Sequence, residues 1–555
     1  MKVSRGFLLF LIISFSLAIL NCQWVKACLA PRSEFFNFAM WCWTASAAFV
    51  IYLPYVLFRK SWPSLLLIGL TYVLTLANLV YLRVFGAWIP LGVYGRFFNL
   101  ADFTGSVTDC FEASDVIVPL LLVAGTIMLR KTDMTPCNRA RIIVLTGLSF
   151  MLTMTAFASP EPLSRKLASL KKNHSQHALA VSRFSLPVVL INCSKETPVL
   201  NSSGKSEVSM ALNRRLKVLN PTTPPANLVI VFMESLESWP IGMKIAGKEI
   251  TPVINRIVAD STTLYVDKVK NQTGAGRSID AQLLALCGLL PPSDIIYPFY
   301  YPGNNYPSIY KAMKQKNAAP VYSFTTDRRE IYNIGTLSRQ FGVDSLYVMR
   351  MGKTRRRMAD VDFFKSAVST IEKDGLWNAS KPKCMQFVTY SCHAPFVIPK
   401  GVIPPMPRVR GMNERLEAYI NAVHYSDSAL GVLVDYLKTK PDYKQTMIVV
   451  MGDHPAFGQE RRLEFSNQIH EIAEAYIPLL IINAPEDYCR AVGNRTVEQV
   501  DVYTTMIGFL GLQNYDWHGL GNVVNGKDDV IPFDRVLVSE LILAHNLYRN
   551  NSIEK

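Results

Sequence analysis

Asn227-Leu-Val-Ile-Val-Phe-Met233 is a short apolar run that leads straight into Glu234-Ser-Leu-Glu-Ser. It follows Asn220-Pro-Thr-Thr-Pro-Pro-Ala226, a stiff, turn-rich connection, so it reads as the first buried strand of a new domain. Similar runs at 320–324, 385–390, 446–450 and 477–482 predict further strands. Helical patterns at 308–316, 362–373, 425–438 and 497–512 lie among them. In the third, Leu430, Leu433, Val434 and Leu437 share one face. Short apolar strands alternating with amphipathic helices predict a largely parallel α/β sheet. Ligands of such sheets bind at the carboxyl ends of the strands.

Polar groups arrive at those ends. The first strand runs into Glu234, and the strand at 446–450 runs through Met451 and Gly452 into Asp453-His454-Pro455. Two carboxylates and an imidazole form a mixed oxygen and nitrogen set suited to a borderline divalent ion such as Mn²⁺ or Zn²⁺. Gln272-Thr-Gly-Ala-Gly-Arg-Ser278-Ile-Asp280 is a glycine loop that opens an apolar helix, with Ser278 at the expected N-cap. A hydroxyl there lies beside unpaired N–H groups and the positive end of the helix dipole, where phosphate is welcome. Ser278 is the candidate nucleophile and a fourth metal ligand. Read singly, these features are an ordinary cap and ordinary turns, and only their combination points to a site. Asp280 either orients that site or complements the helix terminus. Arg277 is a phosphate contact or a surface charge. His393, in Ser391-Cys-His393-Ala-Pro395-Phe396, is structural, or donates to a phosphate oxygen or a leaving alkoxide.

The first 160 residues hold most of the apolar runs, and stretches at 6–20, 38–58, 65–85, 116–129 and 142–158 predict five membrane spans. Lys2 and Arg5, then Arg59 and Lys60, then Arg130, Lys131, Arg139 and Arg141 mark alternate ends as cytoplasmic, which puts everything after 158 outside. Arg165, Lys166, Lys171 and Lys172, interleaved with Leu163, Leu167 and Leu170, read either as a solvated linker or as an interfacial helix touching lipid head groups. The net charge of +15 suits an acidic partner, and without a zinc-finger, RNA-binding-sheet or basic-zipper pattern a lipid surface is preferred to nucleic acid. Ten cysteines show no C-x-x-C pair and no metal-type spacing.

Glu234-Ser-Leu-Glu, Thr273-Gly-Ala-Gly-Arg-Ser278-Ile-Asp280, Ser391-x-His393-x-Pro395-Phe396 and Gly452-Asp453-His454, in this order behind a membrane anchor, resemble the lipoteichoic acid synthase family. That family belongs to the alkaline phosphatase and sulfatase superfamily. The resemblance implies a five-helix transmembrane domain over 1–159, an interfacial or linker segment over 160–226, and an α/β sulfatase-like domain over 227–555. It implies a multi-pass protein of the bacterial cell (inner) membrane with its catalytic domain on the extracytoplasmic side. The implied activity is phosphoglycerol transfer from phosphatidylglycerol to a glycan or glycolipid acceptor through a glycerophosphoryl-Ser278 intermediate. Glu234, Ser278, Asp453 and His454 would bind one divalent metal, Mn²⁺ first, with Zn²⁺ or Mg²⁺ as alternatives. His393 and Arg277 would contact the substrate phosphate.

Two departures stand out. Ser278 replaces the family's threonine, and Ile331-Tyr-Asn-Ile334 lines up with a Trp-Asn-Arg stretch that holds glycerol phosphate. Ile334 cannot pair with phosphate, which leaves Arg328, Arg329 and Arg339 as substitutes. The rival readings are a phosphoethanolamine transferase of the same superfamily and a non-catalytic lipid- or glycan-binding membrane protein. A hydrolytic sulfatase is disfavoured, because Ser278-Ile-Asp-Ala-Gln lacks the proline and arginine of that nucleophile setting.

Overall fold

The computed structural model describes residues 5–27, 38–85, 89, 111–131, 199–216, 221–292, 295–352, 356–486, 496–524 and 531–549. The chain divides into two compact units. The first holds the described helices up to Lys131, and the second everything described from Val199 onward.

In the first unit, α1 (Arg5–Ala27) packs on α2 (Phe38–Phe58), α3 (Trp62–Phe85) and α4 (Ile117–Lys131). Leu9, Ile13, Ala48 and Ile68 fill the seam, while Phe15, Val73 and Leu120 stay exposed on the outside. A helix bundle that is apolar inside and out suits lipid rather than water. Among the described residues, three helices are long and apolar enough to cross a membrane, within Arg5–Trp24, Trp62–Tyr81 and Ala113–Lys131. In α2 the apolar helix that qualifies by composition, Thr44–Phe58, is shorter. The expected fifth span at 142–158 and the basic run at 165–172 lie outside the described residues. At the span ends, Arg83 grips Asp115 through two hydrogen bonds of 2.7 and 3.0 Å, and Lys26 reaches Glu112 at 3.2 Å.

The second unit is built on an eight-stranded sheet. Its strands are β1 (Asn227–Met233), β2 (Leu264–Lys270), β3 (Val321–Thr325), β4 (Ser345–Val348), β5 (Cys384–Val388), β6 (Thr446–Gly452), β7 (Tyr476–Ile482) and β8 (Val497–Glu498). They lie side by side as β8-β2-β7-β6-β1-β5-β3-β4. Every residue of β1, β5 and β6 is buried, as expected of central strands covered on both faces. Each buried Val, Leu or Ile contributes roughly 1.5–3 kcal/mol.

The sheet is parallel from β6 through β1, β5 and β3 to β4, but β7 runs antiparallel to both β6 and β2. The sheet is largely parallel, as expected, and β7 is its one exception. Between β6 and β7 the chain has a seven-residue helix, Gln459–Phe465, and a short turn, His470–Ala473. The chain re-enters the sheet from the side it left.

Four helices matter for the site: α5 (Ser278–Cys287), α6 (Asp360–Lys373), α7 (Glu414–Lys438) and α8 (Asp501–Phe509). The helix expected at 425–438 begins earlier, because the Asn413 side chain accepts from the Arg415 N–H at 2.9 Å and caps it. The stretch expected as one helix at 497–512 splits into β8 and α8. Ahead of β1, helix Ser202–Leu212 also belongs to the second unit, where the Arg214 guanidinium donates to the Gly519 and Gly521 carbonyl oxygens at 3.1 and 2.6 Å.

Candidate active site and metal centre

β1 and β6 are register neighbours that end together, with Met233 opposite Gly452, so the residues that follow them meet at one edge. Gly452 lies against the Leu236 carbonyl, and a Cβ there would collide with it. The next residue, Asp453, accepts the Ser235 N–H at 2.7 Å through Oδ1. On the other side, the Glu234 N–H donates to Thr389 Oγ1 at 2.9 Å, which ties the end of β1 to the end of β5. Glu234, Asp453 and His454 are all buried, and each offers a ligand atom within 4.8 Å of the others.

Ser278 reaches this cluster from α5. Its Oγ lies 3.2 Å from Glu234 Oε2, to which it donates, and 3.2 Å from His454 Nε2. The N-cap expectation is corrected here. Arg277 occupies the cap position at φ 51°, ψ −115°, and Ser278 is the first helical residue. The loop N–H groups of Gly274 and Gly276 are taken by Asp280, whose Oδ2 accepts both at 2.9 Å, so these two are not open to an anion. Asp280 thus holds the glycine loop together. Burial pushes its carboxyl up to about 7, against the pull of those two N–H groups.

The charge balance is informative. Burial, then the negative charge of Asp453, holds the Glu234 carboxyl well above its ordinary range, and burial pushes Asp453 up to about 6. Burial, then the Arg277 guanidinium, keeps His454 neutral. Its Nδ1 lies 3.1 Å from the Pro455 carbonyl oxygen, which can only accept, so Nδ1 carries the proton and Nε2 presents a lone pair to Ser278 and Glu234. Asp453 Oδ2 is buried and accepts no hydrogen bond among the described residues. Two crowded carboxylates, an orphaned oxygen and a neutral imidazole lone pair are the donor set of a divalent cation.

Arg277 sits within reach of all three of these groups, and its Nη1 donates to the Pro455 carbonyl at 3.4 Å. His393 follows β5, with Nδ1 2.8 Å from the Ala394 carbonyl oxygen; burial lowers it to about 4. Its ring stacks on Tyr390 at 5.1 Å. Of the arginines proposed to replace Ile334, Arg329 donates to the Leu346 carbonyl and Arg339 to Thr336 Oγ1, both from exposed positions. Ile334 itself is buried in the first turn of helix Ile334–Phe341.

Sequence reasoning missed Arg357 and Asp327. Arg357 Nη2 lies 2.6 Å from Asp327 Oδ1, and its guanidinium sits over the Tyr390 ring at 4.2 Å. Asp327 follows β3 as Glu234 follows β1, a signal that was available; Arg357 lies in a basic run with none. Ser235, Arg277, Tyr332 and Phe396 all take positive φ, between 49° and 65°, beside the site residues. Non-glycine residues held there cost about 1–3 kcal/mol each, and such strain concentrates at functional sites.

With this geometry in view, the family model for Sulfatase matches residues 226–512. The chain belongs to the sulfatase family. Lipoteichoic acid synthase 2 of Bacillus subtilis is 25% identical to this chain over 513 residues, which span 86% of this chain and 77% of that protein. Lipoteichoic acid synthase of Staphylococcus aureus is 22% identical over 493 residues, spanning 82% and 74%. The integral membrane protein lipooligosaccharide phosphoethanolamine transferase A from Neisseria meningitidis shares the fold, with a TM-score of 0.54 at 11% identity over 92% of this chain and 96% of that one. The chain is a lipoteichoic acid synthase-like member of the alkaline phosphatase superfamily, an enzyme and a membrane protein. Superfamily members use a divalent metal, and the donor set above fits one.

Proposed function

We propose that this sulfatase-family enzyme moves the phosphoglycerol head group of phosphatidylglycerol to a glycan or lipid acceptor, through a covalent intermediate on Ser278. The observation that carries the reading is the position of Ser278 Oγ, 3.2 Å from both Glu234 Oε2 and His454 Nε2 at the mouth of a buried acidic cluster. Glu234, Asp453, His454 and Ser278 would hold the metal, and their mixed oxygen and nitrogen set would favour Mn²⁺ or Zn²⁺ over Mg²⁺. A divalent ion there lowers the pKa of the hydroxyl and offsets phosphate charge.

The chain's own groups do the rest. In the first half, the Ser278 Oγ–P bond forms as the P–O bond to diacylglycerol breaks. The Ser278 proton faces Glu234 Oε2, which accepts it. His393 is neutral until an anion approaches; a phosphodiester beside it favours the proton on Nε2, which then passes to the departing diacylglycerol oxygen. In the second half an acceptor hydroxyl gives its proton to His393 as it attacks phosphorus, and Ser278 leaves and recovers its own. Arg277 supplies positive charge beside the phosphate. The catalytic unit is extracytoplasmic in a bacterial cell membrane, a topology supported by the alternating loop charges at 2–5, 59–60 and 130–141.

The test is to incubate the purified full chain with labelled phospholipids and Mn²⁺, then analyse the Ser278 peptide by mass spectrometry. A glycerophosphoryl adduct supports the reading, an ethanolamine phosphate adduct makes the enzyme a phosphoethanolamine transferase, and no adduct together with an undiminished cellular role for Ser278→Ala leaves a binding protein.

A further inference from the structure

Gln499 is fully buried one residue beyond β8, the strand that pairs in parallel with β2. Its own N–H donates to the Lys270 carbonyl oxygen at 3.2 Å, and its side chain lies between two segments of the site. On one side its Nε2 donates to the Asp453 carbonyl oxygen at 2.8 Å. On the other its Oε1 accepts the Gln272 N–H at 3.1 Å, at the head of the glycine loop, while Gln272 Oε1 accepts the Val500 N–H at 2.9 Å. A carbonyl can only accept and an N–H can only donate, so the position calls for an amide in this one orientation. Glutamate lacks the donor when ionised, and an aliphatic side chain would strand both backbone groups in the interior.

These bonds close a ring. From Gln499 it runs through Gln272 and the loop to Ser278, crosses the 3.2 Å between Ser278 Oγ and His454 Nε2, and returns along the chain through Asp453 to Gln499. Asp453 is held within the ring by its main chain and by one side-chain oxygen. Its N–H donates to the Met233 carbonyl oxygen at 3.2 Å, its carbonyl accepts from Gln499, and its Oδ1 accepts the Ser235 and His454 N–H groups, each at 2.7 Å. That leaves Oδ2 as the oxygen for an ion. The nucleophile loop is held in the same way, at Gln272 by Gln499 and at Gly274 and Gly276 by Asp280. On the metal-assisted transferase reading above, we propose that Gln499 is the positioning residue that sets the gap between the metal ligands and the nucleophile. One atom of its amide acts on Asp453, and the other acts on Ser278 through the loop.

The experiment uses the purified full chain and two readouts. Mn²⁺ affinity is measured without turnover, from the loss of the free ion's electron paramagnetic resonance signal, and formation of the Ser278 adduct from phosphatidylglycerol is then timed in a single turnover at saturating Mn²⁺. Gln499→Met loses both contacts and is expected to weaken Mn²⁺ binding and to slow the adduct, each by about ten- to a hundredfold. Gln499→Glu keeps the acceptor for Gln272 and loses the donor to Asp453, so Mn²⁺ binding is expected to weaken while the rate at saturating Mn²⁺ stays near that of wild type. Asn227→Ala removes two hydrogen bonds of 3.0 Å, to Asp442 and Thr446, at the opposite end of β1, and is expected to lower the melting temperature without moving either readout. If Gln499→Met does not fold, Gln499→Glu carries the test. Wild-type Mn²⁺ affinity in a folded Gln499 variant, an unchanged adduct rate in Gln499→Met, or an equal loss of affinity in Asn227→Ala reduces Gln499 to packing and overturns the proposal. Wild type that neither binds Mn²⁺ nor acquires an adduct overturns the transferase reading instead.

Discussion

Gly276 and Asp280 touch across a single loop: the Gly276 N–H donates to Asp280 Oδ2 at 2.9 Å, and a methyl group on Gly276 would collide with the same carboxylate. The contact explains why position 276, two residues before Ser278, is a glycine. Gly276→Ala is expected to push the loop off Asp280, at a cost of about 1–3 kcal/mol in stability. Because Ser278 lies two residues on, displacement by about 1 Å is expected to slow transfer on the order of a hundredfold. Thermal unfolding and single-turnover rates measure the two effects, and a full transfer rate in this variant would show that the loop does not position Ser278.

Metal removal is expected to lower the melting temperature. A ligand that binds only the folded state, at a hundred times its Kd, adds about 2.7 kcal/mol, so chelation removes that amount and Mn²⁺ or Zn²⁺ restores it. His454→Ala and Asp453→Asn lose ligand atoms from the cluster and are expected to melt at the same temperature with or without ion. A wild-type response retained in both variants would place the ion elsewhere.

Asp427 gives the second unit a pH dependence away from the site. It is fully buried in α7 and accepts from the Val253 and Ile254 N–H groups at 2.9 and 2.8 Å, at the start of helix Pro252–Val258. Burial outweighs those bonds and pushes its carboxyl up to about 6 from an ordinary 3.8. Between these values the folded state holds a proton that the unfolded state has lost, so stability falls as pH rises through that interval. The contribution is on the order of 3 kcal/mol. Melting curves of wild type and Asp427→Asn from pH 4 to pH 6 are expected to converge at the acid end and separate as pH rises. Parallel curves would remove Asp427 as the cause.

Arg462 and Glu237 form a buried ion pair behind the site, with Arg462 Nη1 3.0 Å from Glu237 Oε2, while Glu237 Oε1 also accepts the Ala456 N–H at 2.7 Å. Arg462→Met strands a buried carboxylate and is expected to cost about 3–5 kcal/mol. Adding Glu237→Leu is expected to recover part of that loss, because both charges then leave together. A double mutant no more stable than Arg462→Met would mean that Glu237 is sustained by its other hydrogen bonds.

The sequence by itself determined what depends on near neighbours. Apolar runs of strand length, such as 227–233 and 446–452, have few other folds open to them, and each hands its polar successor, Glu234 or Asp453, to the same edge of a parallel pair. Membrane-length runs are legible for the same local reason. What only the tertiary structure decided depends on which segments meet: that β7 turns back, that Ser278 follows the cap while Asp280 takes the loop's N–H groups, and that Arg357 finds Asp327. Hydrophobic periodicity reports the face a residue shows to the core, but carries no record of the partner waiting there. An ion pair between segments apart in sequence is set by sheet order and loop length, and these emerge only when the whole chain packs.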